Sequence, residues 1–129
     1  FDWIYEKIKE ETKVVIVDFH AETTAEKIAF GWYADGKASA IFGTHTHIQT
    51  SDERVLPNGT AYISDVGMTG PYDSVIGMKK ESSIKRFIYG TPQKHEVAND
   101  DIRFAAVVCE IDVLTGKSSS IKRIFYPEF

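Results

Sequence analysis

Cysteine is nearly missing from this sequence. Cys109 is the single one among 129 residues, which excludes an internal disulfide and points to a reducing compartment. No apolar run approaches the roughly 20 residues that a membrane-spanning helix needs, and no signal peptide is visible, so a cytoplasmic location without membrane contact is expected. Excess positive charge is also lacking. A formal charge of −4 gives no electrostatic reason to bind duplex nucleic acid, whereas a metal site could still attract a small or single-stranded phosphate substrate. Repeats, low-complexity tracts and linkers are absent, so residues 1–129 are expected to form one unit. There is no initiator Met, and Phe1, Ile4, Tyr5 and Ile8 already follow helical spacing with no capping residue before them. The chain is therefore expected to be part of something longer. What remains is ordinary for a folded globular protein, with 43% hydrophobic and 26% charged residues.

Along the chain, Val14 to Phe19 is a nearly continuous β-branched run that predicts a strand buried on both faces. Thr23 followed by Glu26 reads as a capping box, starting a helix over Thr24 to Tyr33 that ends near Gly36. Ala38 to Phe42 predicts the next strand, closing at Gly43, where glycine would let the backbone turn sharply. Strand, helix, strand at this spacing is a βαβ unit with a right-handed crossover. Further on, Asn58-Gly59 between apolar runs predicts a hairpin from Val55 to Ile63. Glu81 to Ile88 reads as a helix closed by Gly90, and Phe104–Val113 and Ser120–Tyr126 as strands joined around Thr115-Gly116-Lys117. The fold class is α/β, a βαβ unit followed by hairpins, in a mixed sheet or two packed sheets.

Three histidines fall where ligands collect in open α/β sheets, beyond the carboxyl ends of strands. His20 follows the first strand, and His45 and His47 follow the second. If the strands are parallel neighbours, the rings meet at one edge, and i, i+2 spacing in an extended segment turns His45 and His47 the same way. Neutral imidazole is the commonest metal ligand. A lone histidine after a strand is more often structural; the His-x-His pair with a third beyond a neighbouring strand favours a metal site. Thr44 and Thr46 could orient the loop, and Asp18 and Glu22 flank His20 as outer partners. A dinuclear site, with ions about 3.5–4 Å apart, also needs a bridging group. Asp18, Glu22 and Asp65 lie near, but no motif marks any of them as the bridge. Elsewhere the plainer roles are expected: His95 on a polar surface, Cys109 as a small buried hydrophobe, Asp65 to Tyr72 as a shaped loop, and Lys79-Lys80 with Lys85-Arg86 as a solvated helix face.

Four segments in order carry a resemblance: Val17-Asp18-Phe19-His20-Ala21-Glu22-Thr23-Thr24-Ala25-Glu26-Lys27, Gly31-Trp32-Tyr33-Ala34-Asp35-Gly36, Gly43-Thr44-His45-Thr46-His47-Ile48-Gln49-Thr50, and Asp65-Val66-Gly67-Met68-Thr69-Gly70-Pro71-Tyr72. Together they resemble the C-terminal half of the YmdB-like calcineurin-type metallophosphoesterases, bacterial 2′,3′-cyclic-nucleotide 2′-phosphodiesterases. The resemblance implies half of a sandwich of two mixed sheets flanked by helices. It also implies two iron-type or manganese-type ions, with His20 and His45 on one and His47 on the other. The upstream Gly-Asp, Glu-Asn and Asn-His motifs of such enzymes are not present here. They supply the remaining ligands, the bridging carboxylate and the histidine that protonates the leaving group, so a partial or empty metal site is one expectation for this chain. The parent would open a 2′,3′-cyclic ester at the 2′ oxygen by in-line attack of activated water. This chain would supply three ligands, with Thr44, Thr46 and Gln49 as part of the substrate wall. Two alternatives stand beside that reading: an inactive fragment that self-associates through an exposed half-sheet, and a related phosphomonoesterase.

Overall fold

The computed structural model describes residues 1–128. Helix α1 (Asp2–Ile8) leads into strand β1 (Ile16–His20), helix α2 (Thr24–Ala34) and strand β2 (Ala40–Thr44). β1 and β2 pair in parallel from Ile16↔Ala40 to His20↔Thr44, so the expected βαβ unit is present. The capping box starts α2 as expected: the Thr23 side chain accepts from Glu26 N–H while the Glu26 carboxylate reaches back to Thr23 N–H. Gly36, just beyond the helix, has φ +83.

The Asn-Gly hairpin is also present, joining β3 (Arg54–Val55) antiparallel to β4 (Ala61–Ile63). β4 lies parallel to β2, giving a four-stranded mixed sheet in the order β1-β2-β4-β3. β5 (Gly70–Pro71), helix α3 (Lys80–Tyr89), β6 (Ile102–Ile111) and β7 (Ser118–Tyr126) follow. β5, β6 and β7 form an antiparallel second sheet, with β7 packed against β3 and β4. Gly90 closes α3 in the left-handed conformation, as its sequence position predicts. The segment from Asp65 to Tyr72, expected to be loop alone, contributes β5 to β6.

The core of the first sheet is Ala34, Ala38, Ile41, Leu56 and Tyr62, with Val17, Phe19 and Phe30 packed against it. Phe30 of α2 stacks on Phe19 of β1 at 4.3 Å between ring centroids, which fixes the helix on that face.

Three expectations need correction. β1 is not buried on both faces: Val17 and Phe19 face α2, while Ile16, Asp18 and His20 are exposed. The reason is that helix α2 covers only one face of this edge strand, through Phe30 on Phe19. Gly43 does not end the strand with a turn but lies within β2. A Cβ there would sit 1.8 Å from the Ser64 carbonyl oxygen, so the glycine is required by close backbone approach. Cys109 is only half-buried, on β6, though desolvation raises its thiol pKa.

Candidate metal centre

His20 and Thr44 are the last residues of β1 and β2 and lie in register. Parallel pairing thus brings both strand ends to the same rim. One residue further, His45 places Nδ1 3.2 Å from His20 Nε2, with the two rings nearly perpendicular at 80°.

The bonds behind His20 determine which ring nitrogen carries the proton. A carboxylate only accepts, so the single hydroxyl proton of Thr44 goes to Asp18 Oδ1 at 2.9 Å. Thr44 Oγ1 then accepts from His20 Nδ1–H at 3.0 Å, which leaves Nε2 turned toward His45. Metal-binding histidines usually have such a partner on the second nitrogen. Two ring nitrogens bound to one ion at about 2.0–2.1 Å stand about 2.9–3.4 Å apart, for ligand angles from about 90° to tetrahedral. At 3.2 Å the two rings make a direct hydrogen bond, His45 Nδ1–H donating to His20 Nε2, and that separation also lies inside the span of two ligands on one ion.

His47 does not join them through an extended segment. That expectation is corrected by the backbone: φ is +122 at His45 and +65 at His47, so the two-residue alternation of a strand does not hold. His47 Nδ1 lies 3.0 Å from the carbonyl oxygen of Ile76, which can only accept, so Nδ1 again carries the proton. All three rings are exposed at the rim. Among the described residues no group of three or more His, Cys, Asp or Glu side chains is arranged to hold an ion, so the direct convergence is the His20–His45 pair.

Asp65 explains the shape of the loop. Its carboxylate is buried and accepts from Lys27 Nζ at 2.9 Å, Thr46 N–H at 2.8 Å and Gly67 N–H at 2.9 Å. It is therefore held behind the loop, pulling Thr46 inward between the two histidines. Burial alone would raise its pKa, but the Lys27 ammonium and the two backbone N–H groups outweigh this and hold it below the usual carboxylate range. Nothing in the sequence singles out Lys27, since a lysine on an amphipathic helix ordinarily faces water. Only its partner, 38 residues away, explains it.

The remaining side chains divide by what they touch. The Thr46 hydroxyl donates to Ile48 O at 3.1 Å and accepts from Ile48 N–H at 3.3 Å, a local turn. The Gln49 amide donates to the carbonyls of Val66, Ala106 and Ile124 at 3.2, 3.0 and 3.3 Å, joining the loop to the second sheet. Glu22 is exposed and, among the described residues, makes no hydrogen bond or ion pair with this group. Beneath the loop, Asp52 accepts from the hydroxyls of Thr50 and Ser64 and from Ser64 N–H.

Comparison with known proteins gives one consistent picture. The family model described as YmdB-like protein matches residues 1–124. A Bacillus subtilis (strain 168) protein named 2′,3′-cyclic-nucleotide 2′-phosphodiesterase is 51% identical over 123 residues, covering 95% of this chain and 47% of its own length. A crystal structure of a hypothetical protein from Thermus thermophilus superposes with TM-score 0.89 at 42% identity, covering 97% of this chain and 48% of that one. A phosphatase structure from Mycoplasma pneumoniae gives TM-score 0.88 at 44% identity, covering 96% and 45%. The chain spans about half the length of each.

Proposed function

The chain belongs to the YmdB-like protein family, and on that premise we propose that it forms the histidine-bearing half of a metal-dependent phosphodiesterase acting on 2′,3′-cyclic nucleotides. The observation that carries this reading is the 3.2 Å approach of His20 Nε2 to His45 Nδ1 at the rim of two parallel strands. Two ions of the iron or manganese kind, once bound, would supply positive charge at the phosphate and a water of lowered pKa. His20 and His45 would hold one ion and His47 the other.

The rest of the site keeps those rings in place. Thr44 and Asp18 hold His20 by its Nδ1–H, so its Nε2 faces the site. Asp65, neutralised by Lys27, fixes the loop between His45 and His47 and cannot bridge ions from where it is buried. Glu22 stays an outer candidate on position alone. Thr44, Thr46 and Gln49 border the rim as substrate wall, although the Gln49 amide nitrogen is already committed to three carbonyls. The lone thiol of Cys109 fits work in a reducing, cytoplasmic setting.

The test is hydrolysis of 2′,3′-cyclic AMP with added Mn²⁺ by this chain and by a form extended upstream to the relatives' length. The extended form should be active, and His45→Ala should lower its rate at least about 100-fold, since losing a direct ligand exceeds the 10–100-fold cost of losing an outer partner. An extended form that binds no metal would overturn the proposal. The relative named a phosphatase favours a second reading, phosphomonoester hydrolysis. A higher kcat/KM on monoesters than on cyclic diesters would select it.

A further inference from the structure

The Val75–Met78 segment reverses the chain in two residues. Val75 N–H donates to Met78 O at 2.8 Å and Met78 N–H to Val75 O at 3.0 Å, leaving Ile76 and Gly77 as the central pair. Their φ angles are +48 and +96, the sign a type I′ turn requires at both positions. Asn-Gly is the favoured pair for this turn, and a β-branched residue with positive φ is an outlier. The surroundings hold it there. Gly77 N–H donates to Ser74 Oγ at 2.9 Å, Gly77 O accepts from Ala98 N–H at 3.0 Å, and Met78 bridges to Val97. Strained residues persist only where neighbours over-determine them, and they cluster at functional sites. The Ile76 carbonyl points at His47 Nδ1, 3.0 Å away.

We infer that the Ile76–Gly77 turn is the positioning device for His47: its carbonyl fixes the Nδ1–H tautomer and the ring direction, so that Nε2 is the nitrogen offered at the rim. This rests on the reading of His47 as a metal ligand. It would give His47 the service that Thr44 gives His20, from a backbone group that no side-chain motif reveals. Ile76 itself lines an apolar groove of about 120 Å³ with Val75, Met78 and Phe87.

The experiment is long-range ¹H–¹⁵N NMR of the histidine rings in the metal-free chain, followed by titration with Zn²⁺. His47 should show the Nδ1–H tautomer, against the Nε2–H form that free imidazole side chains prefer. Gly77→Val places a branched side chain at φ +96, with its Cβ 3.2 Å from Met68 Sδ, and should displace the carbonyl. His47 should then lose the Nδ1–H preference, and Zn²⁺ affinity should fall about 10–100-fold. Ile76→Asn keeps the turn, so it should keep the tautomer and raise the melting temperature; it decides the matter if Gly77→Val does not fold. An Nε2–H tautomer in the parent chain, an unchanged tautomer in a folded Gly77→Val, or a lost tautomer in Ile76→Asn overturns the inference. If the tautomers are as stated but Zn²⁺ moves no histidine signal, the metal reading of the site falls instead.

Discussion

Lys27 and Asp65, each about 1% exposed, form an ion pair removed from water, and their interaction reaches the rim through Thr46 N–H. Breaking such a pair leaves a buried charge uncompensated, which costs about 3–5 kcal/mol. Lys27→Ala should therefore lower the unfolding free energy in urea by that amount and disorder the His45–His47 loop, seen as broadening of the two ring signals; unaltered stability would remove the pair from the account of the site. Acid should act on the same residue. Asp65 and Asp52 both have folded pKa values below their unfolded ones; for Asp52, too, burial opposes the shift, and bonds from Ser64 and Thr50 outweigh it. Their contribution is fully present above the unfolded value near ~3.9 and is lost as pH falls through the lower folded values. Unfolding free energy should hold steady from about pH 6 to 5 and decline below about pH 4, measured by urea titration across that range. A flat profile down to about pH 3 would count against both assignments.

The elements that the sequence made legible are those with short-range signals. Thr23 and Glu26 announce the start of α2 because both halves of a capping box lie within one turn. Asn58-Gly59 announces the β3–β4 hairpin by turn chemistry alone. Two further glycines behave differently. Gly43 looks like a strand terminus, yet it sits inside β2 because the Ser64 backbone crosses where a side chain would be, and that contact is invisible until β4 is placed. Gly43→Ala would put its Cβ 1.8 Å from Ser64 O and 2.9 Å from Lys27 Cδ. Overpacking a tight site costs typically about 1–3 kcal/mol, and here the obstacle is backbone, so a loss of about 3 kcal/mol or more in thermal or urea unfolding is expected. A loss under about 1 kcal/mol would show that β2 and β4 can separate freely. The turn at Gly77 is hidden in the sequence because Ile76 breaks the rule that identifies such turns, and the His47 contact depends on a partner 29 residues away. Parallel pairing put His20 beside His45, as strand order in the sequence predicts, while the route of His47 depends on Asp65 and on that turn.

At the scale of the whole molecule, the exposed apolar surface is the feature that requires explanation. β1 pairs only with β2 among the described residues, which leaves one side of its backbone open, and Ile16 on its outer face is 50% exposed. The β-branched run from Val14 predicts a strand covered on both faces, yet helix α2 covers only one of them, which leaves Ile16 exposed. Helix α3 shows the same pattern, with Ile84, Phe87 and Ile88 at i, i+3, i+4 spacing, all exposed and no residue of the helix buried. An open strand edge beside apolar side chains is a template for pairing with another chain. A second copy of this chain should therefore occupy it, giving concentration-dependent association in sedimentation velocity. Charged residues on an edge block such pairing, so Ile16→Lys should shift the distribution toward monomer without altering the His20–His45 contact on the rim. A chain that stays monomeric up to its solubility limit would show that the edge is already protected by its own twist and charge. If association occurs but disappears in a form extended upstream to the relatives' length, the added segment covers the surface that a second copy would otherwise occupy.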